Sequence, residues 1–399
     1  MADATLSGMH AISDAERRAR LGRRHALATE HRTDAVVDAA RAVVALHGTD
    51  PATTVLSALA RTRDATPADV EQALYDDRSL VRILSMRRTV FAAPRDVAGT
   101  CLAAASDVVA AEQRRLLLKS LAEAGVSGDL DAWVTRAEQV ALAAIEATGE
   151  VTSTELSQAD PILATRVQIG SGRFVATPTV ASRLLTLLSA EGSVVRTRPR
   201  GTWTSTQFRW ATMSSWCDLG ERPDPVVAAT ELARLWFAAY GPATLDDLQW
   251  WTGWTKTRTR AAAAPLDTVE VDLDGRPGLI LADDTEPVEP LEPWVALLPA
   301  LDPSSMGWKH RDFVLGPHRE RVFDVNGNAG PTVWVDGRIV GGWAQRDDGE
   351  VAFTLLQDVG AEATAAVERR AAELTTMLGD VRLKARARGW TVVEKELRS

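Results

Sequence analysis

The chain has 399 residues, 45% apolar and 25% charged, the balance of a soluble globular protein with about two to four folding units. Forty-five Lys and Arg against 54 Asp and Glu leave a formal charge of −9. That excludes coating nucleic acid by bulk charge but leaves room for a local basic face. The two cysteines, Cys101 and Cys217, are too few for a disulfide framework or a cysteine zinc site and point to the cytoplasm.

No apolar run approaches the ~20 residues of a membrane span, and the N-terminus has no apolar stretch of a secretory signal. In ISDAERRARLGRRH, Ser13 can cap a helix and Glu16 stands three positions on. Residues 1–32 carry Arg17, Arg18, Arg20, Arg23, Arg24 and Arg32. They form a basic arm or helix, either a solvated face or an arm that contacts phosphate.

Over 33–122, Val36, Val37, Ala40, Val43, Val44 and His47 follow helical spacing, and Gly48 offers a left-handed stop. Asp50-Pro51 is an N-cap followed by proline at the first helical position, so LHGTDP is a tight joint between two helices. TPADVEQAL starts another capped helix, and LVRILSMRRTVFAAP alternates and is β-branched enough for strands or for a passage from helix to wing. The pattern recurs over 123–224. RAEQVALAAIEATGE and TPTVASRLLTLLSAEG are helical, VTSTELSQA is a short capped helix, and VVRTRPRGTWTSTQFRWATM is two β-runs around Pro199-Arg200-Gly201. It recurs over 225–284, where VVAATELARLWFAAY, GPATLDDLQWWTG and WTKTRTRAAAA precede a hairpin around Asp274-Gly275. GEVTSTEL at 149–156 and GPATLDDL at 241–248 match at Gly, Thr, the acid and Leu, a weak internal repeat. Helix, short helix, second helix and hairpin is the order of a winged helix-turn-helix, whose second helix typically enters the DNA major groove.

TEPVEPLEP is an acidic, proline-rich linker opening the last segment, 285–399. Asn326-Gly327, Asp336-Gly337 and Asp348-Gly349 are hairpin turns among short strands, the pattern of a small antiparallel barrel or sheet. GAEATAAVERRAAELTTMLGD is an amphipathic helix, and TVVEKELR reads as a final strand or a frayed tail.

There is no phosphate-binding glycine loop and no G-x-S-x-G elbow; Gly170-Ser171-Gly172 is turn-like. The six histidines show no metal spacing, so neither a metal nor a cofactor is expected. What stands out is basic. Arg196, Arg198, Arg200 and Arg209 alternate with Trp203, Phe208 and Trp210; Lys256, Arg258 and Arg260 lie on the second helix of the third unit; Arg87 and Arg88 make a third basic spot in SMRRTVF. Basic and aromatic side chains on a hairpin suit phosphate contact with stacking on bases, and equally a half-buried hairpin with a solvated arginine face.

VVALHGTDP, LVRILSMRRTVFAAP, FAAYGPATLDDLQWWTGWT, LLPALDPSSMGWKHRD and NGNAGPTVWVDGRIVGGW make the chain resemble the AlkZ-like winged-helix DNA glycosylases over most of its length. The resemblance implies an α+β molecule: three tandem winged helix-turn-helix units in a C shape with a C-terminal antiparallel β-barrel-like domain. It implies binding of duplex DNA and excision of alkylated purines or bulky adducts. The family's catalytic motif is two polar residues one apart, often Gln-x-Gln or Gln-x-Asp. The matching positions here read His47-Gly48-Thr49, which keeps two hydrogen-bonding side chains and neither glutamine. An N7-alkylated guanine leaves readily, so His47 and Thr49 need only place a water while Asp50 offsets charge on the sugar. The joint holds no lysine, so strand cleavage is not expected to follow base loss.

Three functions follow. The first is a monofunctional glycosylase, a monomer on alkylated duplex DNA in the cytoplasm at the nucleoid, serving repair or self-resistance to a genotoxin. The second is a winged-helix protein that binds DNA without cutting. The third is a partner-binding scaffold. Base release lost in His47→Ala separates the first two, and failure to bind duplex at low salt favours the third.

Overall fold

The computed structural model describes residues 9–170, 175–384 and 389–399; Ser171 and Gly172 of the turn-like sequence lie outside them. Contacts divide the chain into two compact units, Met1–Ala73 with Thr230–Ser399, and Leu74–Ala229. The division at residue 74 falls inside the segment expected at 33–122, because the hairpin over 80–94 packs on the helices that follow it.

The first unit begins with strand β1 (His10–Ala11) and helix α1 (Asp14–Arg24). The Ser13 hydroxyl accepts from the Glu16 N–H at 3.1 Å, so the local cap is where the sequence put it. The basic face is not where either expectation put it. Arg17 and Arg20 are 8% and 1% exposed. Arg20 donates to the Glu16 carboxylate at 2.7 and 2.9 Å, to Asp284 at 3.2 Å, and to the carbonyls of Asp284 and Glu286. Arg24 donates to the Asp284 carboxylate and the Gly241 carbonyl. Apart from Glu16, these partners lie more than 200 residues away, beyond any local reading, and they pin α1 to the acidic linker instead of leaving it as an arm. Gly22 permits that approach: a Cβ there would meet Leu291 Cδ1 at 2.9 Å.

Helix α2 (Val36–Arg41) ends well before His47, which lies in strand β2 (Leu46–His47) ahead of α3 (Pro51–Leu59). The chain turns at Val44, φ +64°, and Gly48 is not left-handed. Positive φ is rare for a β-branched residue and persists only where tertiary contacts hold it. Here the Tyr240 hydroxyl donates to the Val43 carbonyl at 3.1 Å. Helix α4 (Pro67–Glu71) opens with a capping box between Thr66 and Asp69.

The second unit starts with strands β3 (Leu80–Ser85) and β4 (Thr89–Pro94), an antiparallel hairpin turned by Arg87 and Arg88, both at positive φ. Helices α5 (Arg95–Cys101), α6 (Asp107–Glu123) and α7 (Leu130–Thr148) follow. Strand β5 (Val151–Thr152) leads into α8 (Ser153–Ala159), α9 (Pro161–Ala164) and α10 (Val180–Glu191). Thr152 and Glu155 form a second capping box, and Gly192 ends α10 in the left-handed conformation. Strands β6 (Val194–Arg196) and β7 (Arg209–Thr212) complete the sheet in the order β5-β7-β6, before α11 (Met213–Trp216). Apolar faces of α6, α7, α8 and α10 share one core around Leu121, Ala141, Leu156 and Leu184.

Helix α12 (Pro225–Tyr240) spans the boundary at residue 230. Then come α13 (Leu245–Thr252), with a third capping box between Thr244 and Asp247, and α14 (Lys256–Ala263). Strands β8 (Thr268–Asp272) and β9 (Pro277–Leu281) form a hairpin that β1 extends in parallel, in the order β1-β8-β9.

The last segment is an open sheet, not a barrel. Strands β10 (Val295–Leu298), β11 (Thr332–Val335), β12 (Arg338–Gln345) and β13 (Val351–Leu355) pair antiparallel in chain order; α15 (Asp312–Leu315) and α16 (Arg319–Val322) lie between β10 and β11. Among the described residues no pairing joins β10 to β13. Helix α17 (Ala361–Leu378) packs on both of those strands, so a helix covers the sheet instead of closure. Asp336-Gly337 and Asp348-Gly349 turn between strands, whereas Asn326-Gly327 serves only an isolated bridge, Phe323 to Ala329. The tail read as a strand is helix α18 (Val392–Arg398), capped by Thr391 and Glu394 and held to β12 with Val393 1% exposed.

Candidate active site and nucleic-acid interface

The joint between α2 and α3 is built from backbone outward. His47 and Thr49 are half-buried, and Gly48 and Asp50 are buried. The His47 carbonyl accepts the Thr54 hydroxyl at 2.9 Å, a bond from the first turn of α3 back to the strand before it. Thr53 donates to the Ala300 carbonyl at 2.7 Å. Asp50 is the N-cap of α3, accepting from the Ala52 N–H at 3.1 Å. Asp50 also borders a cavity of about 50 Å³ shared with Thr53, Trp343 and Arg398. That volume is enough to hold water.

Behind α3 lies a polar network that sequence reasoning missed. Arg61 binds the Asp302 carboxylate with both arms, at 2.7 and 2.8 Å, and both side chains are fully buried. The Ser57 hydroxyl donates to the same carboxylate at 2.6 Å. Desolvation pushes the Asp302 carboxyl up, but Arg61, Ser57 and the Ser304 N–H outweigh it and hold it below the usual carboxylate range. Arg61 also donates to the Ser304 hydroxyl at 2.7 Å, and that oxygen lies 2.8 Å from His25 Nδ1. His25 Nε2 lies 3.2 Å from the Ala239 carbonyl, which can only accept. The proton therefore sits on Nε2, Ser304 donates to Nδ1, and His25 is neutral. Burial first, then the charge of Arg61, push the imidazole down to about 3. The network fastens the 299–306 loop to α3. Its one sequence signal was LLPALDPSSM, a carrier of the resemblance to which no role was attached.

The basic residues fall into distinct surroundings. In the second unit Arg198 is tied to Asp76 at 2.8 and 3.0 Å, and Arg200 to Glu155 at 2.6 Å. Arg209 donates to the Glu150 carbonyl at 3.0 Å and stands 3.5 Å from its carboxylate. Glu155, bonded first to the Thr152 backbone, is held down to about 2. Arg196 is half-buried over Phe208 and Trp210, and burial pushes its guanidinium down to about 10. Trp203 is half-buried in the turn between β6 and β7. At the β3–β4 turn Arg88 is exposed and Arg87 half-buried. In the first unit Lys256 and Arg260 are exposed on α14, while Arg258 lies over Trp254 at 5.4 Å.

The family model described as DNA glycosylase AlkZ-like matches residues 40–377, from α2 to the end of α17. The chain belongs to the AlkZ-like DNA glycosylase family. It is similar to an interstrand DNA cross-link repair glycosylase of Streptomyces sahachiroi, 32% identical over 178 residues, which are 42% of this chain and 48% of that protein. The match thus spans about half the relative's length. The structure is similar to that of the Streptomyces sahachiroi DNA glycosylase AlkZ, with a TM-score of 0.71 and 23% identity over 94% of this chain and 99% of the other, a likeness of fold. In this AlkZ-like chain His47, Thr49, Asp50 and the Arg61–Asp302 pair all lie inside the matched span. Among the described residues no helix is long and apolar enough to cross a membrane.

Proposed function

We propose that this AlkZ-like chain is a monofunctional DNA glycosylase acting as a monomer on alkylated duplex DNA, excising N7-alkylated purines or bulky alkyl adducts. The observation that carries it is the joint itself. Two hydrogen-bonding side chains, His47 and Thr49, flank a buried glycine inside the family match, on a backbone clamped by Thr54. In the proposed step the bond from C1′ to N9 breaks and its electron pair neutralises the cationic base. Water held by Thr49 adds to C1′ of the oxocarbenium-like sugar, and His47 takes the proton. With no lysine in the joint, no Schiff base forms and the strand stays intact. Each run of helices with its hairpin serves as a winged helix on the duplex, with Arg87, Arg88, Arg196, Lys256 and Arg260 toward the backbone. The Streptomyces relative, named for interstrand cross-link repair, makes an interstrand cross-link a substrate to try beside the monoadduct.

One observation favours a second function, binding without cutting. Asp50 is 6% exposed and engaged as a helix cap, and neither position beside Gly48 carries glutamine. Base release from duplex DNA containing N7-methylguanine decides between them. Abasic product that disappears in His47→Ala and Thr49→Ala supports the glycosylase. Intact DNA with binding retained, on mono- and crosslinked adducts alike, supports the second.

A further inference from the structure

The arginines of the second unit differ in how their charge is met. Arg198, Arg200 and Arg209 each have a carboxylate partner. Arg82 on β3 and Arg196 on the neighbouring β6 have none among the described residues, yet Arg82 is only 4% exposed. Sequence reasoning did not single out Arg82. Its guanidinium lies over Tyr75 at 5.3 Å and Phe208 at 5.1 Å, and Arg196 lies over the same Phe208 at 5.2 Å and Trp210 at 5.1 Å. Arg82 gives one N–H to the Tyr75 hydroxyl, and its buried Nε has no hydrogen-bond partner.

Two guanidiniums held on one aromatic ring without a counter-charge are costly to keep. Aromatic faces compensate part of that cost. Burial first and then the neighbouring charge of Arg82 push the Arg196 guanidinium down to about 10. An oxyanion between them would relieve the repulsion and accept from both forks, the geometry in which arginine recognises phosphate. Arg196, half-buried, is the side from which a ligand arrives.

We propose that Arg82 and Arg196 form one seat for a phosphodiester group of nucleic acid, and that the carboxylate-paired Arg198, Arg200 and Arg209 shape the hairpin instead of gripping DNA. This rests on the proposed function only in taking DNA as the ligand. The test is the salt dependence of binding to undamaged duplex DNA. Losing one phosphate contact reduces the slope of log affinity against log salt by about 0.9. Arg196→Gln is expected to lose that amount, and Arg82→Gln the same. Because the two share one phosphate, the double variant loses no more than either single variant. Arg198→Gln leaves the slope in place. Should Arg82→Gln fail to fold by circular dichroism, Arg196→Gln against Arg198→Gln decides alone. An unchanged slope in Arg196→Gln, an equal loss in Arg198→Gln, or no duplex binding by the unaltered chain overturns the seat. Base release keeps the two ideas apart. Salt slopes that behave as expected without base release leave the seat standing and remove the glycosylase. Release with an unchanged Arg196→Gln slope does the reverse.

Discussion

Arg61 and Asp302, 241 residues apart in the chain, close a two-armed ion pair whose side chains are both wholly buried, directly behind the helix that follows the candidate active site. Removing one member of such a pair strands a buried charge. Arg61→Met is expected to cost about 3–5 kcal/mol, and the apolar double replacement Arg61→Met with Asp302→Leu much less. Urea midpoints of the three proteins check this. A double variant as unstable as the single one would show that the network is held by its serines and not by charge.

His25 gives stability a pH dependence of definite sign. Its folded form titrates at about 3, whereas the unfolded imidazole titrates near 6.5. Below that value the unfolded chain takes up a proton that the folded chain refuses. The contribution is therefore complete above about pH 6.5 and is withdrawn as pH falls toward 3, at roughly 1.4 kcal/mol per unit. Between pH 7 and pH 5 the protein should lose about 2 kcal/mol more than His25→Gln does, measured by urea unfolding of each. Equal losses would mean that His25 is protonated in place.

Thr54 acts on the joint through the His47 carbonyl. Thr54→Val preserves shape and removes the donor, at about 1 kcal/mol of stability. As a positioning residue it should lower the rate of base release with DNA affinity unchanged, and Thr54→Ser should restore the rate. A stability loss without a rate change would confine Thr54 to the helix.

Asp50 can be divided into cap and charge. Asparagine caps about as well as aspartate, whereas alanine costs about 0.5–2 kcal/mol. Asp50→Asn is expected to keep the thermal midpoint, and Asp50→Ala to lower it. If the carboxylate steadies a cationic sugar, base release falls in both. Full activity in Asp50→Asn would leave Asp50 as a cap alone.

The helix starts at Ser13, Thr66, Thr152 and Thr244 were legible because a cap is settled within three residues: the side chain that accepts and the N–H that donates are neighbours. The hairpin at 268–281 was legible for the same reason, alternation and a short turn, whereas alternation alone left 80–94 open between strands and a passage from helix to wing. The position of His47-Gly48-Thr49 came from the motif, but its setting did not. The periodicity of Val36–His47 satisfies a helix, and only the Tyr240 bond to Val43 and the turn at Val44 break it.

Sequence by itself thus determined most of the local elements and the α+β class, since caps, turns and apolar periods are written in adjacent residues, and its motifs carried the resemblance to the family; the 391–398 tail, read as a strand or a frayed end, became a helix only by packing on β12. The tertiary structure alone decided what each charge does. Arg20 and Arg24 of α1 became internal ties to Asp284, Arg61 found Asp302, the hairpin arginines divided into those with and those without a carboxylate partner, and the last sheet stayed open beneath α17. A charged side chain carries no mark of its partner, and the partner's distance in space, not in sequence, sets whether burial is tolerable.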